Sequence, residues 1–136
     1  MFRRAAKGSC VLMLVLAAGC ARDDDYYEVF REQRANLKDI TDLLATVKDE
    51  QSMAQAKAAF AEKAQKYEAI ARKAKALPSP PPPAVMKRFQ EDRSLLESRL
   101  LLLQREVARV RKLPGGEEFL KQFDSNSPGL FSAVRQ

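Results

Sequence analysis

Residues 26–47, YYEVFREQRANLKDITDLLATV, decide the fold. Their apolar side chains Tyr26, Phe30, Leu37, Ile40, Leu44 and Val47 recur at alternating steps of four and three, with Gln33 at the one heptad slot that is not apolar. An α-helix turns once in about 3.6 residues, so this spacing lays a continuous apolar seam along one side of a helix. A single helix gains little from such a seam in water, because most helical stability comes from packing the apolar face on something else. The run therefore predicts an amphipathic helix with a coiled-coil-like seam and helical neighbours.

Downstream, the pattern pauses near Asp49 and Glu50, and Ser52 followed three residues later by Gln55 reads as a capping box opening a second helix. That helix carries Met53, Ala56, Phe60, Ala64, Tyr67, Ile70 or Ala71, Ala74 and Leu77 on one face, and its many alanines favour helix by propensity alone. Glu62 with Lys66 and Glu68 with Arg72 add favourably oriented i,i+4 pairs. The short turn makes the first two helices antiparallel neighbours. Pro78-Ser79-Pro80-Pro81-Pro82-Pro83 ends the second helix, since proline lacks the N–H and restricts the residue before it. As polyproline II these six residues reach about 19 Å, enough to cross to a neighbouring helix as a stiff connector.

A third helix is expected from about 84 to 112, with Met86, Phe89, Leu96, Leu100, Leu103, Val107 and Val110 on its seam and Leu95, Leu101 and Leu102 widening it. Arg109, Arg111 and Lys112 lie where a helix C-terminus favours cations, and Pro114-Gly115-Gly116 stops the chain. The expected fold is all-α: an antiparallel three-helix bundle over 26–113, a helical hairpin plus a third helix, with the Pro-rich linker at 78–83. Residues 114–136 are expected as a short helix, Glu117 to Asp124, and a tail. Phe119, Leu120, Phe123, Leu130, Phe131 and Val134 would cover an open end of the bundle, or else meet a partner or a membrane.

Upstream, Asp23, Asp24 and Asp25 read as a polar tether that also suits a helix N-terminus. Before them, Arg3, Arg4 and Lys7 precede an uncharged run, Cys10 to Ala18, that ends in small residues, which is the layout of a secretory signal. As a helix that run spans only about 14 Å against a hydrocarbon core of about 30 Å, too short for a stable transmembrane anchor.

Leu16-Ala17-Ala18-Gly19-Cys20 resembles the lipobox of bacterial lipoproteins, with Ala17 standing where that family prefers Leu. The resemblance implies cleavage between Gly19 and Cys20, removal of residues 1–19, a diacylglyceryl group on the Cys20 thiol and acylation of the new amine, with residues 20–25 as lipidated Cys and tether. Two or three acyl chains anchor stably where one is marginal. Ala21-Arg22 after the Cys, in place of Asp, resembles the outer-membrane-directed class, so the expected location is the bacterial envelope, outer membrane facing the periplasm ahead of inner membrane. The ordinary alternative is a secreted protein cut at an Ala-x-Ala-like site, with Cys20 an incidental thiol.

Processing changes the chemistry of the chain. The formal charge of +6, from 24 basic and 18 acidic residues, loses three basic residues and becomes +3. Cys10 leaves and Cys20 is acylated, so no thiol remains for a disulfide or a metal, and the sequence has no His. With the commonest general base and the soft nucleophile both missing, and no phosphate loop or paired-carboxylate motif, a non-catalytic protein is expected, without cofactor, metal or small-molecule substrate. A metal reading of Asp23–Asp25 lacks a complete ligand set.

Charge is unevenly divided: residues 23–50 carry −5, residues 51–77 carry +4 and residues 84–112 carry +4. The simplest account is internal, an acidic helix set beside two basic ones. The alternative is a basic face formed by helices two and three that binds anionic lipid or cell-wall polymer through Lys57, Lys63, Lys66, Arg72, Lys73, Lys75, Arg99 and Arg105. Nucleic acid is not expected, since no nucleic-acid-binding motif accompanies the charge.

Two further resemblances bear on function. Leu43-Leu44-Ala45-Thr46-Val47-Lys48-Asp49-Glu50, then Ala-rich sequence with Lys57, Phe60 and Tyr67, a Pro break and another amphipathic helix, is similar to small helical proteins of bacterial envelopes over roughly 37–112, which implies no activity and no site residues. Murein-type lipoproteins are lipidated heptad helices too, but they are one continuous helix ending in a wall-linked Lys, whereas this chain is broken by prolines and ends Val134-Arg135-Gln136. The expectation is a lipid-anchored structural or interaction protein of the envelope that engages an envelope protein or self-associates, with polyanion binding as the alternative.

Overall fold

The seam of residues 26–47 becomes α1 (Asp23–Thr46), the helix on which the others pack. The computed structural model describes the backbone of residues 21–124 and the side chains of residues 21–122. Within them α1 is followed by α2 (Glu50–Ala76), α3 (Pro83–Arg111) and α4 (Gly116–Asp124), with no strand among the described residues. The long helices have matched lengths of 24, 27 and 29 residues and run up, down, up. Contacts fix the directions: Asn36 meets Lys63 and Tyr26 meets Pro78, so α2 is antiparallel to α1, whereas Phe30 meets Phe89 and Val47 meets Arg109, so α3 runs parallel to it. The signal region, Gly19, Cys20, and the tail with Leu130, Phe131 and Val134 lie outside the described residues.

The heptad seam is buried as its spacing requires. Leu37, Ile40, Leu44 and Val47 join Met53, Phe60 and Ala64 of α2 and Leu103, Val107 and Val110 of α3 in one core, while Gln33 and Phe30 are half-buried. Residues Val47, Lys48 and Asp49 make the whole connection to α2, and Val47, past the end of α1, is fully buried. The triple Asp lies inside α1 as its first turn, so the helix starts directly after Arg22 with negative charge at its positive pole.

The bundle is open on one side. Six residues separate Phe30, which stacks on α3, from Asn36, which bonds to α2, and this puts the two about 120° apart around α1. No α-carbon of α2 lies within 8 Å of one in α3. At the end of the molecule that holds the α1–α2 turn, α4 fills the gap by contacting both helices, with Phe119 against Phe60 at 5.6 Å between ring centroids. The sharp return from α3 into α4 needs both glycines: Gly115 has φ 75°, and a Cβ on Gly116 would sit 1.8 Å from the Val110 carbonyl oxygen.

This arrangement corrects the expected stripe on α3. Val85 is fully buried and Met86 is 41% exposed, and Leu95, Leu101 and Leu102 are 42%, 57% and 44% exposed instead of widening the core. The physical reason is that α3 has α1 on one side and only the short α4 on another, so a single heptad row suffices. The capping box at α2 is also displaced. Asp49, not Ser52, is the N-cap: the Ser52 N–H donates to its carboxylate at 2.8 Å, and the Asp49 N–H donates to the Ser52 hydroxyl at 2.9 Å. α3 opens on Pro83 at its first position, where a missing N–H costs nothing, one residue earlier than expected.

Arg109 was expected to serve its own helix terminus and serves another. α1 has no cation in its last turn. From α3 the Arg109 guanidinium donates to the Leu44 and Val47 carbonyl oxygens, both at 2.6 Å, while its Nε donates to Glu106 at 2.9 Å. The Leu44 carbonyl, which also accepts the Val47 N–H at 3.0 Å, and the Val47 carbonyl just past the helix end are thereby bridged by a fork of donors from a distant part of the chain. Asn36 is the other polar group that sequence periodicity did not mark: it is fully buried, and its amide donates to the Lys63 carbonyl at 3.2 Å, pinning the α1–α2 register.

Two predictions follow from these caps. Arg109→Ala lowers unfolding free energy by about 1–2 kcal/mol in denaturant titration, and Arg109→Lys recovers only part of it, because an ammonium cannot reproduce the fork. The Asp49 carboxyl is held below its usual value, first by the Ser52 N–H, then by the Ser52 hydroxyl. Its cap therefore stabilises fully above the unfolded value of 3.8 and fades as pH falls through the lower folded value. Asp49→Asn, which caps equally well, should keep stability at pH 7 and flatten this acid limb, whereas Asp49→Ala loses the stability at pH 7 as well.

Candidate functional site

At the end of the bundle opposite α4, the first turns of α1, the last turn of α2 and the start of α3 converge on the proline linker. The aromatic rings there are ordered by one another: Phe30 stacks on Phe89 at 5.0 Å between centroids, Tyr27 meets Phe89 edge-on at 6.5 Å, and the Arg88 guanidinium lies 4.6 Å from the centre of the Tyr27 ring. The Tyr26 hydroxyl donates to the Pro78 carbonyl at 2.7 Å, fastening the linker to α1. Between these groups is a cleft of about 230 Å³ walled by Tyr26, Val29, Phe30, Leu77, Pro81 and Phe89, among others, and no charged side chain lines it. Sequence reading found the residues but not the cleft, because it arises where the linker folds back; the Ser79–Pro80 peptide in that linker is cis.

The eight cations expected as a polyanion surface do not form one patch. Lys63 pairs with Asp39 at 3.4 Å and Lys73 with Glu32 at 2.9 Å, both across the α1–α2 interface. The hydrogen bond from Lys73 to Glu32 raises the lysine above its ordinary value of 10.5, so the stability it adds is complete below that pH and is lost as pH rises through the folded value. Lys57, Lys66, Arg72, Lys75, Arg99 and Arg105 make no ion pair among the described residues, and all but the half-buried Arg99 are exposed. Lys57 and Lys75 share a side of α2, being five helical turns apart, and Lys66 lies midway in sequence and so about half a turn round from them. Lys57 edges a shallow depression beside α4 together with Glu50, Met53 and Phe119.

Among the described residues no helix is long and apolar enough to cross a membrane, and no three His, Cys, Asp or Glu side chains are placed to hold a metal. Tyr67, half-buried beside the core, has its phenol pushed above the ordinary value by burial and next by Glu68, which keeps it protonated at neutral pH. Cys20 and Gly19 lie outside the described residues, so the acylation and cleavage expected there rest on the sequence alone. No protein-family model matches this chain, and no curated protein and no solved structure matches it either.

Proposed function

We propose that this chain is a lipid-anchored, non-catalytic structural or interaction protein of the bacterial envelope. The observation that carries the reading is Leu16-Ala17-Ala18-Gly19-Cys20, set directly after an apolar run with a basic start. The described bundle adds support, since α1 begins at Asp23, three residues past Cys20, and a bundle so tethered would be held close to the bilayer on its linker end. Its surface also offers apolar contact area to a partner in the exposed Leu95, Leu101 and Leu102 of α3. Mass spectrometry of the mature protein should find an acylated Cys20 as the first residue, with the protein in the membrane fraction. A soluble product with another N-terminus defeats the proposal, and native-membrane crosslinking to one discrete protein would identify the partner.

The second reading is binding of anionic lipid or cell-wall polymer, favoured by the six cations that no carboxylate among the described residues neutralises. Such contacts are screened by salt. Full-length Cys20→Ser protein should sediment with anionic vesicles or isolated wall polymer at low ionic strength and be released by about 0.5 M salt, where the screening length has fallen below about 8 Å. Retention that is indifferent to salt excludes this reading.

A further inference from the structure

We propose that the linker-end cleft holds one acyl chain of the lipid on Cys20, in the same molecule. The inference rests on the lipidation proposed above. The cleft is walled mostly by aromatic, aliphatic and proline side chains, with Gln33, Ser79 and the Tyr26 hydroxyl as the polar side-chain groups of its lining, and that of Tyr26 is already committed to the Pro78 carbonyl. Such walls offer no charge and few hydrogen bonds, and they suit a hydrocarbon better than a headgroup, a peptide or a sugar.

The connectivity selects the occupant. The cleft begins at Tyr26 and Val29 in the first two turns of α1, and Cys20 precedes the first residue of α1 by three positions, a span of about 10 Å when extended. An acyl chain attached there is confined to the neighbourhood of the cleft mouth, at an effective concentration in the millimolar range for a short linker, so even a weak site fills from within the same molecule. A cleft of about 230 Å³ takes part of one chain and leaves the others to the bilayer. The consequence is an oriented bundle: with one chain held between α1, α2 and the linker, the proline end faces the membrane and the α4 end faces away.

A photoactivatable fatty acid fed to cells making the full-length protein tests this directly, because it enters the Cys20 lipid and crosslinks whatever surrounds the chain on irradiation. Crosslinks within the same molecule are expected to peptides containing Tyr26–Gln33, Ala74–Pro81 and Phe89. Ala74→Trp, which places a large ring at an exposed position on the cleft, should reduce them at least about tenfold while acyl mass on Cys20 and helical circular dichroism stay unchanged. Ala54→Trp, in the depression at the α4 end, should leave them as they are. An acylated Cys20 whose chains crosslink only phospholipid, or only a second copy, overturns the inference and leaves the anchor intact. A Cys20 without acyl mass overturns both.

Discussion

The two hydrogen bonds from the Arg109 guanidinium to the Leu44 and Val47 carbonyl oxygens hold the architecture at its tightest point. The α1–α2 turn has three residues and no glycine, and its backbone closes α1 through the Val47 N–H, which donates to the Leu44 carbonyl at 3.0 Å. The turn also drives Val47 into the core, which leaves carbonyls facing α3. An apolar side chain there would take away the donor that the Val47 carbonyl has from α3 and leave the Leu44 carbonyl with the Val47 N–H alone. A guanidinium reaches both oxygens and sets positive charge at the negative pole of α1, and Glu106 positions the guanidinium from one turn away. The same residue therefore ends α1, closes the turn and fixes the height of α3 beside both.

With that end fixed, the division of charge explains the rest of the assembly. α1 is the acidic helix and, among the described residues, the one long helix with two long neighbours, so its carboxylates meet the cations of α2 at Asp39–Lys63 and Glu32–Lys73. The two basic helices do not approach each other. An arrangement in which α2 and α3 closed against one another would set like charges together, and the open side avoids this while α4, with its aromatic contact to Phe60, supplies apolar cover at one end. Exposed ion pairs of this kind each contribute little to stability. Their effect is to choose among packings that the apolar seam alone would leave close in energy.

The parts legible in the sequence were those governed by local periodicity. Tyr26 to Val47 marked the central helix, the prolines of 78–83 marked the break, and Pro114-Gly115-Gly116 marked the return into α4, all to within a few residues. The parts that were not legible depend on which neighbour a residue meets. Nothing local distinguishes Val85 from Met86, or shows that Leu95, Leu101 and Leu102 stay exposed beside the buried seam residue Leu103, until it is known that α3 packs on α1 and α4 and leaves its other sides to solvent. Arg109 carried a correct signal, a cation near a helix C-terminus, attached to the wrong helix. Asn36 sits outside the heptad slots, and only the Lys63 carbonyl opposite explains its burial. The linker-end cleft was illegible for the same reason, since its walls come from three helices and a turn.

The two ends of the bundle are built on different principles, and this asymmetry constrains any function. At the α4 end, polar termini are capped by Asp49, Ser52 and Arg109, and apolar side chains are covered by Phe119 and Leu120. At the linker end, Phe30 and Phe89 stack without being fully enclosed, Met86 is exposed, and a cleft remains between the proline turn and α1. An end left open in water exposes apolar area to solvent. The chain that leads back to Cys20 leaves α1 at this same end. Acylation at Cys20, as proposed, would therefore tether the bundle by its less enclosed end, where exposed apolar area costs least if it faces a bilayer.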